Sequence, residues 1–148
     1  MLVKDLKTAL SLTSLTTGGD EKEIKGCYCG DLLSWVMSRA SEGDCWLTVM
    51  GNINAVAVAV LTDCACIVLT ENAPLDENAK QRAQLEGVSV LTTSKNAYQV
   101  AAEISKQFGV TVDKRKITMD DIKNFGSYKI EVKLYTNISA EMTVMVGE

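Results

Sequence analysis

Apolar positions change their period several times along this chain. Leu2, Leu6 and Leu10 recur every four residues, the spacing of one helix face. Between Ser11 and Thr17, Leu12 and Leu15 stand among hydroxyls, and Gly18-Gly19-Asp20 then turns the chain. Ile24 to Gly30 is a short β-prone run. Asp31 is expected to N-cap a helix over Leu32–Ala40, with Leu32, Leu33, Val36 and Met37 as its apolar stripe.

The next stretch repeats one unit. Cys45–Met50 predicts a strand, Gly51–Asn54 a turn, and Ala55–Leu61 a helix of small residues. Val56, Val58 and Val60 also fit a strand, because they alternate. A helix is preferred, since so few residues separate this segment from the next strand that only a helix can make a parallel crossover. Cys64–Thr70 is a second, continuously apolar strand. Pro74 and Asp76 open a helix through Leu85 that Gly87 ends, and Val88–Leu91 is a third strand. Thr92-Thr93-Ser94 is expected to cap a helix over Lys95–Phe108, closed by Gly109. Strands apolar on both faces and alternating with helices predict a mostly parallel sheet covered on each side, a three-layer α/β/α arrangement.

After Gly109 the style changes. Val110–Asp113 reads as extended, Lys114-Arg115-Lys116 is a basic cluster, and Asp120–Phe125 makes one short helix. Tyr128–Tyr135 and Ile138–Val146 both alternate around Thr136-Asn137, the pattern of a β-hairpin. The fold class expected is therefore α/β, with a small α+β piece of short helix plus hairpin at the C-terminal end.

Charge marks the same boundary. Positions 1–104 hold 8 basic and 13 acidic residues, positions 105–148 hold 7 and 6. The whole chain of 148 residues carries a net charge of −4, which argues against non-specific nucleic-acid binding by the molecule as a unit. There is no histidine. Ser-His-Asp and Cys-His catalysis, and every His-ligated metal site, are thereby excluded. The longest apolar run, Ala55–Leu61, is far too short to span a bilayer, and the first residues do not read as a secretion signal. A cytoplasmic protein without membrane contact is expected.

Five cysteines, Cys27, Cys29, Cys45, Cys64 and Cys66, form two Cys-x-Cys pairs and one single. Four thiolates can hold zinc or an iron–sulfur cluster, but zinc ribbons use Cys-x-x-Cys. Packing as small hydrophobes in strands is the preferred reading, with no metal and no cofactor.

Ligands of open parallel sheets gather at the carboxyl ends of the strands, near helix N-termini. Gly51, Asn52 and Asn54 follow a strand and precede a helix, which makes them the first candidate for a small anionic or nucleotide ligand; plain capping by asparagine is the competing reading. Gly30 with Asp31, and Thr92 with Ser94, occupy equivalent positions. No dinucleotide-binding glycine fingerprint or phosphate-binding P-loop motif occurs. Lys114, Arg115 and Lys116 are the candidate RNA-facing residues, against a solvated mixed surface. Asp120-Asp121 fits a helix start and is assigned no catalysis.

Two resemblances refine this. Gly30–Met37, Gly43–Met50 and Asn52–Ala59 resemble small DRTGG-domain proteins, a module also similar to parts of HPr kinase and of CBS-domain proteins. The signature Asp-Arg-Thr-Gly-Gly pentapeptide is absent, and Lys25–Gly30 stands where its neighbourhood is expected. This resemblance implies a non-catalytic, ligand-sensing regulatory module over residues 1–105, forming a homodimer. Val112–Ile117, Ile122-Lys123, Gly126, Val132–Leu134 and Ala140 resemble the C-terminal domain of bacterial large-subunit ribosomal protein nine, over residues 93–148. Its usual prolines are missing, and Tyr135 stands where histidine is common. The two stretches overlap at helix 95–108, which implies a fusion, natural or designed, that shares this segment. An rRNA-binding protein is the alternative function, and a cysteine-dependent enzyme ranks third.

Overall fold

A computed structural model describes residues 1–108, 117–118, 126–135 and 138–146. The chain divides into two compact units, Met1–Phe108 and Gly109–Glu148.

The first unit is built on four parallel strands, β2 (Gly26–Cys29), β3 (Asp44–Thr48), β4 (Cys66–Leu69) and β5 (Ser89–Thr92), with the two-residue β1 (Thr13–Ser14) antiparallel to β5. Strand order is β1-β5-β4-β3-β2. Every residue of β3 and β4 is buried, as strands covered on both faces require. Helices α1 (Val3–Ala9) and α5 (Ala97–Gln107) cover one face, where Val3, Leu6, Val100 and Ile104 pack on Cys45, Leu47, Cys66 and Val68. Helices α2 (Leu33–Arg39), α3 (Ile53–Leu61) and α4 (Glu77–Glu86) cover the other, around Trp46, Ile67 and Leu69. The three-layer α/β/α architecture that the strand–helix alternation predicts is the one observed.

Ile53–Leu61 is helical, so its alternating valines belong to a crossover: Ala55, Val56, Val58 and Ala59 are buried, while Val60 and Leu61 face outward. Two expected caps are not the observed ones. Leu32, not Asp31, is the N-cap of α2, and the Asp31 carboxylate is held instead by Thr48 and Val49. Helix α5 starts after Asn96, whose side chain accepts from Gln99 N–H at 2.9 Å while Gln99 returns a bond to the Asn96 amide, so Thr92–Ser94 is not its cap. Asparagine three residues before glutamine makes a reciprocal capping box that the preceding hydroxyls cannot match. The stripe expected on α2 is also corrected. Only Val36 is fully buried, and Leu32, Trp35 and Met37 are 61%, 52% and 53% exposed. This short helix lies beside α3 and joins the cluster of Trp46 through Val36 at the β2 end of the sheet, which limits what it can bury.

In the second unit β6 (Ile117–Thr118), β7 (Gly126–Tyr135) and β8 (Ile138–Val146) form an antiparallel sheet in the order β6-β7-β8. Pairing of Tyr128 with Val144, Ile130 with Met142 and Val132 with Ala140 sets the apolar positions of the hairpin opposite one another. Strand β6, which pairs Ile117 with Val132, had no counterpart in the sequence reading. The segments read as extended Val110–Asp113, the basic cluster 114–116, the short helix Asp120–Phe125 and the turn Thr136-Asn137 lie outside the described residues.

Candidate functional site

The carboxyl ends of β2, β3, β4 and β5 open onto four loops. Gly30-Asp31-Leu32 follows β2. The Gly30 carbonyl accepts from Trp46 Nε1 at 2.8 Å, tying the loop to the core indole. Asp31 Oδ1 accepts from the Thr48 hydroxyl at 2.8 Å and from Val49 N–H at 3.0 Å. These bonds fix an exposed carboxylate beside the end of β3, where it repels anions. Asp31 is therefore a positioned anchor between two loops.

Val49–Asn52 follows β3. Asn52 Oδ1 accepts from Ala55 N–H at 3.0 Å, so the capping reading describes its carbonyl, while its amide N–H groups remain available. Asn54 is exposed in the first turn of α3. Gly51 is approached closely, by the protein itself: its carbonyl accepts from Asp76 N–H at 2.8 Å, and a Cβ at Gly51 would overlap the Pro74 carbonyl.

The loop Glu71–Asp76 after β4 is the least regular part of this edge. Glu71 and Asn72 both have left-handed backbone, at φ 58° and 54°. Their amides donate to the Lys95 and Thr93 carbonyls at 3.0 and 2.8 Å, which lashes the loop to the connection after β5. Consecutive left-handed non-glycine residues are costly and persist where surrounding contacts hold them. Beside them lies an open cleft of about 360 Å³, lined among others by Leu15, Asn72, Pro74, Glu77, Lys80 and Thr92. Lys80 forms no ion pair among the described residues, so its ammonium is uncommitted at the cleft wall.

Of the residues singled out from sequence, Thr92 lines this cleft, and Gly51 stands next to it through Pro74, with Asn52 following Gly51 in the chain. Gly30, Asp31 and Asn54 lie farther along the same edge, and Ser94 lies in the loop that holds Glu71 and Asn72. Lys114, Arg115 and Lys116 fall outside the described residues. Sequence reasoning passed over Asn72, Glu77 and Lys80, because Pro74 and Asp76 were read only as a helix start. The seven residues between β4 and α4 are the available signal.

The cysteines divide in two. Cys45, Cys64 and Cys66 are buried, as packing predicts, but Cys27 and Cys29 on β2 are exposed. An edge strand has a neighbour on one side only, which leaves its side chains uncovered. Among the described residues no three Cys, Asp or Glu side chains converge to hold a metal ion.

A parallel sheet between two helical layers, its strands following one another in chain order and its irregular loops and cleft at the carboxyl edge, defines an open α/β module. More narrowly, the chain belongs to the DRTGG domain family, whose model matches residues 8–107. Residues 77–148 match the model of the ribosomal protein L9 C-terminal domain, so the two patterns overlap across α4, β5 and α5. Both are domains of non-catalytic type. The large ribosomal subunit protein bL9 of Clostridium perfringens is 50% identical over 72 residues, 49% of this chain and 45% of that protein. The bL9 protein of Clostridium acetobutylicum is 47% identical over 49 residues, 33% of each. The chain thus spans about half the length, or less, of these relatives. Among solved structures, the CBS and DRTGG domains of the regulatory region of Clostridium perfringens pyrophosphatase, complexed with the activator diadenosine tetraphosphate, share the fold. The TM-score is 0.56 at 12% identity, covering 70% of this chain and 45% of that one.

Upstream of Lys25–Gly30 the chain carries Thr17-Gly18-Gly19, the same three residue types that end the Asp-Arg-Thr-Gly-Gly pentapeptide. The turn they make docks at the start of β5, opposite the cleft. Gly19, at φ 75°, lies so close to the Gly87 carbonyl and Ser89 amide that a Cβ would meet them at 2.8 and 2.9 Å. Next to it the buried Thr16 hydroxyl donates to the Val88 carbonyl and accepts from Val90 N–H.

Proposed function

We propose that this protein is a non-catalytic regulatory module of the cytoplasm that senses a small anionic ligand, a nucleotide by preference, at the carboxyl edge of its first sheet. Residues 1–105 form the sensing part and residues 93–148 the ribosomal-type part, with 95–108 common to both patterns. The observation that carries this reading is the Lys80 ammonium, without an ion-pair partner among the described residues, in a cleft that it lines together with Thr92, Asn72 and Glu77. The cation supplies attraction, and the hydroxyl and amides supply donors that orient an anion. The neighbouring fold was crystallised with a dinucleotide activator, which supports the ligand class. Exposure of Leu32, Trp35 and Met37 on α2 supports a homodimer.

A thermal-shift panel of nucleotides and acyl phosphates on the full chain tests the proposal, because a ligand that prefers the folded state raises its melting temperature. A rise that saturates with one nucleotide class is expected, and an unshifted transition across the panel overturns the reading.

A second reading, RNA binding through the C-terminal unit, is favoured by the 50% identity to bL9. It requires an RNA affinity that falls steeply with salt and weakens when Lys114, Arg115 and Lys116 are replaced by glutamine.

A further inference from the structure

A row of sulfur atoms crosses the first sheet. The register pairs Cys27 of β2 with Cys45 of β3, and Cys45 with Cys66 of β4, so the three thiols occupy one face of adjacent strands. Cys45 and Cys66 sit in the core beneath α1 and α5, and Cys27 is the exposed end of the row. Cys29, two residues on, lies on the same face of the same edge strand.

We propose that Cys27 is an oxidation site for a hydroperoxide, resolved by Cys45 into a disulfide that crosses from β2 to β3. The Cys27 thiol is set up for attack. The neighbouring Cys29 and Cys45 thiols favour its anion and hold it well below the ordinary thiol range. Cys27 and Cys66, together with burial, push Cys45 upward, which favours the anion at the accessible Cys27 end of the row. Thiolate character together with exposure selects a cysteine for oxidation.

Both steps balance. The Cys27 thiolate attacks one oxygen of hydrogen peroxide: an S–O bond forms, the O–O bond breaks, and hydroxide leaves and takes a proton from solvent. Sulfur loses two electrons to the peroxide and becomes a sulfenic acid. The Cys45 sulfur then attacks the Cys27 sulfur. The S–S bond forms, the S–O bond breaks, and the departing hydroxide combines with the Cys45 proton to leave as water.

Geometry selects Cys45 over Cys29. Directly paired residues on neighbouring strands have Cα atoms about 4.8 Å apart, inside the range disulfides use. Residues i and i+2 of one strand are separated by about 6.6 Å, at its outer limit. Cys45 needs no solvent access, because its partner lies beside it in register.

The test treats the full chain with hydrogen peroxide, alkylates the remaining thiols, digests with trypsin and maps the products by mass spectrometry. A crosslink between peptides Gly26–Arg39 and Ala40–Lys80, fragmenting at Cys27 and Cys45, is expected, with the mass of two hydrogens lost. In Cys45→Ser, Cys27 is expected to stop at the sulfenic acid and to be captured by dimedone. In Cys27→Ser, no crosslink forms. A loss of two hydrogens inside Gly26–Arg39 alone overturns the assignment of Cys45. A wild-type chain whose Cys27 is fully alkylated after peroxide overturns the whole proposal, and needs no variant to fold.

Discussion

Gly51 lies directly against the Pro74 carbonyl, with no room for a side chain between them. The close backbone approach that glycine permits is here used by the protein's own loop, and the Gly51 carbonyl completes it by accepting from Asp76. Gly51→Ala must displace the loop that walls the cleft. A loss of about 1–3 kcal/mol, typical of overpacking, is expected in urea unfolding. Wild-type stability in that variant would show that the loop yields freely.

Thr16 joins β5 through both roles of one hydroxyl, to the Val88 carbonyl at 2.9 Å and from Val90 N–H at 2.8 Å. Thr16→Val keeps the shape and orphans two buried backbone groups. It is expected to cost about 2 kcal/mol, by the penalty for unsatisfied buried groups, and Thr16→Ser to restore most of that. Equilibrium denaturation of the pair checks it.

Capping and ligand binding at Asn52 separate by substitution. Asn52→Ala is expected to lose about 1 kcal/mol of stability with the cap. Asn52→Asp retains a capping oxygen but exchanges the amide donors for a negative charge. Its melting temperature should stay near wild type while any nucleotide-induced shift falls, read by the same thermal-shift assay.

Lys80 has no carboxylate partner among the described residues, so Lys80→Gln should move basal stability by less than about 0.5 kcal/mol. The nucleotide-induced rise in melting temperature is expected to disappear. Retention of the full shift would place the anion elsewhere along the edge.

Burial raises the Cys64 thiol above its ordinary value, although the bond with Thr62 opposes this. The unfolded thiol ionises near pH ~8.5. Below that pH both states are protonated and the contribution is complete. Above it the unfolded chain loses its proton first, so stability declines as pH rises. Melting temperatures measured upward from neutral pH should fall less steeply in Cys64→Ala than in wild type.

Much of the fold was legible because burial on both faces writes itself as continuous apolar runs: Cys45–Met50, Cys64–Thr70 and Val88–Leu91 each contain a core strand. Helix α3 was legible only through connection length, since Ala-Val alternation by itself favours a strand. The caps were misread where several polar residues compete, as at Thr92–Asn96, because the winner depends on backbone geometry that composition does not record. The site was half legible. Position at the carboxyl edge pointed to Gly51, Asn52 and Thr92, but Asn72 and Lys80 become neighbours of Thr92 only once β4 and β5 are paired. Exposure of Cys27 and Cys29 likewise follows from strand order, which local pattern does not contain.

The first sheet ends differently on its two sides. One side stops at the two-residue β1, and on the other no described strand pairs with the outer edge of four-residue β2. A template with one usable end cannot propagate. Two copies meeting there through a two-fold axis consume both free margins at once, so association by strand addition would terminate as a closed pair instead of growing into a fibre.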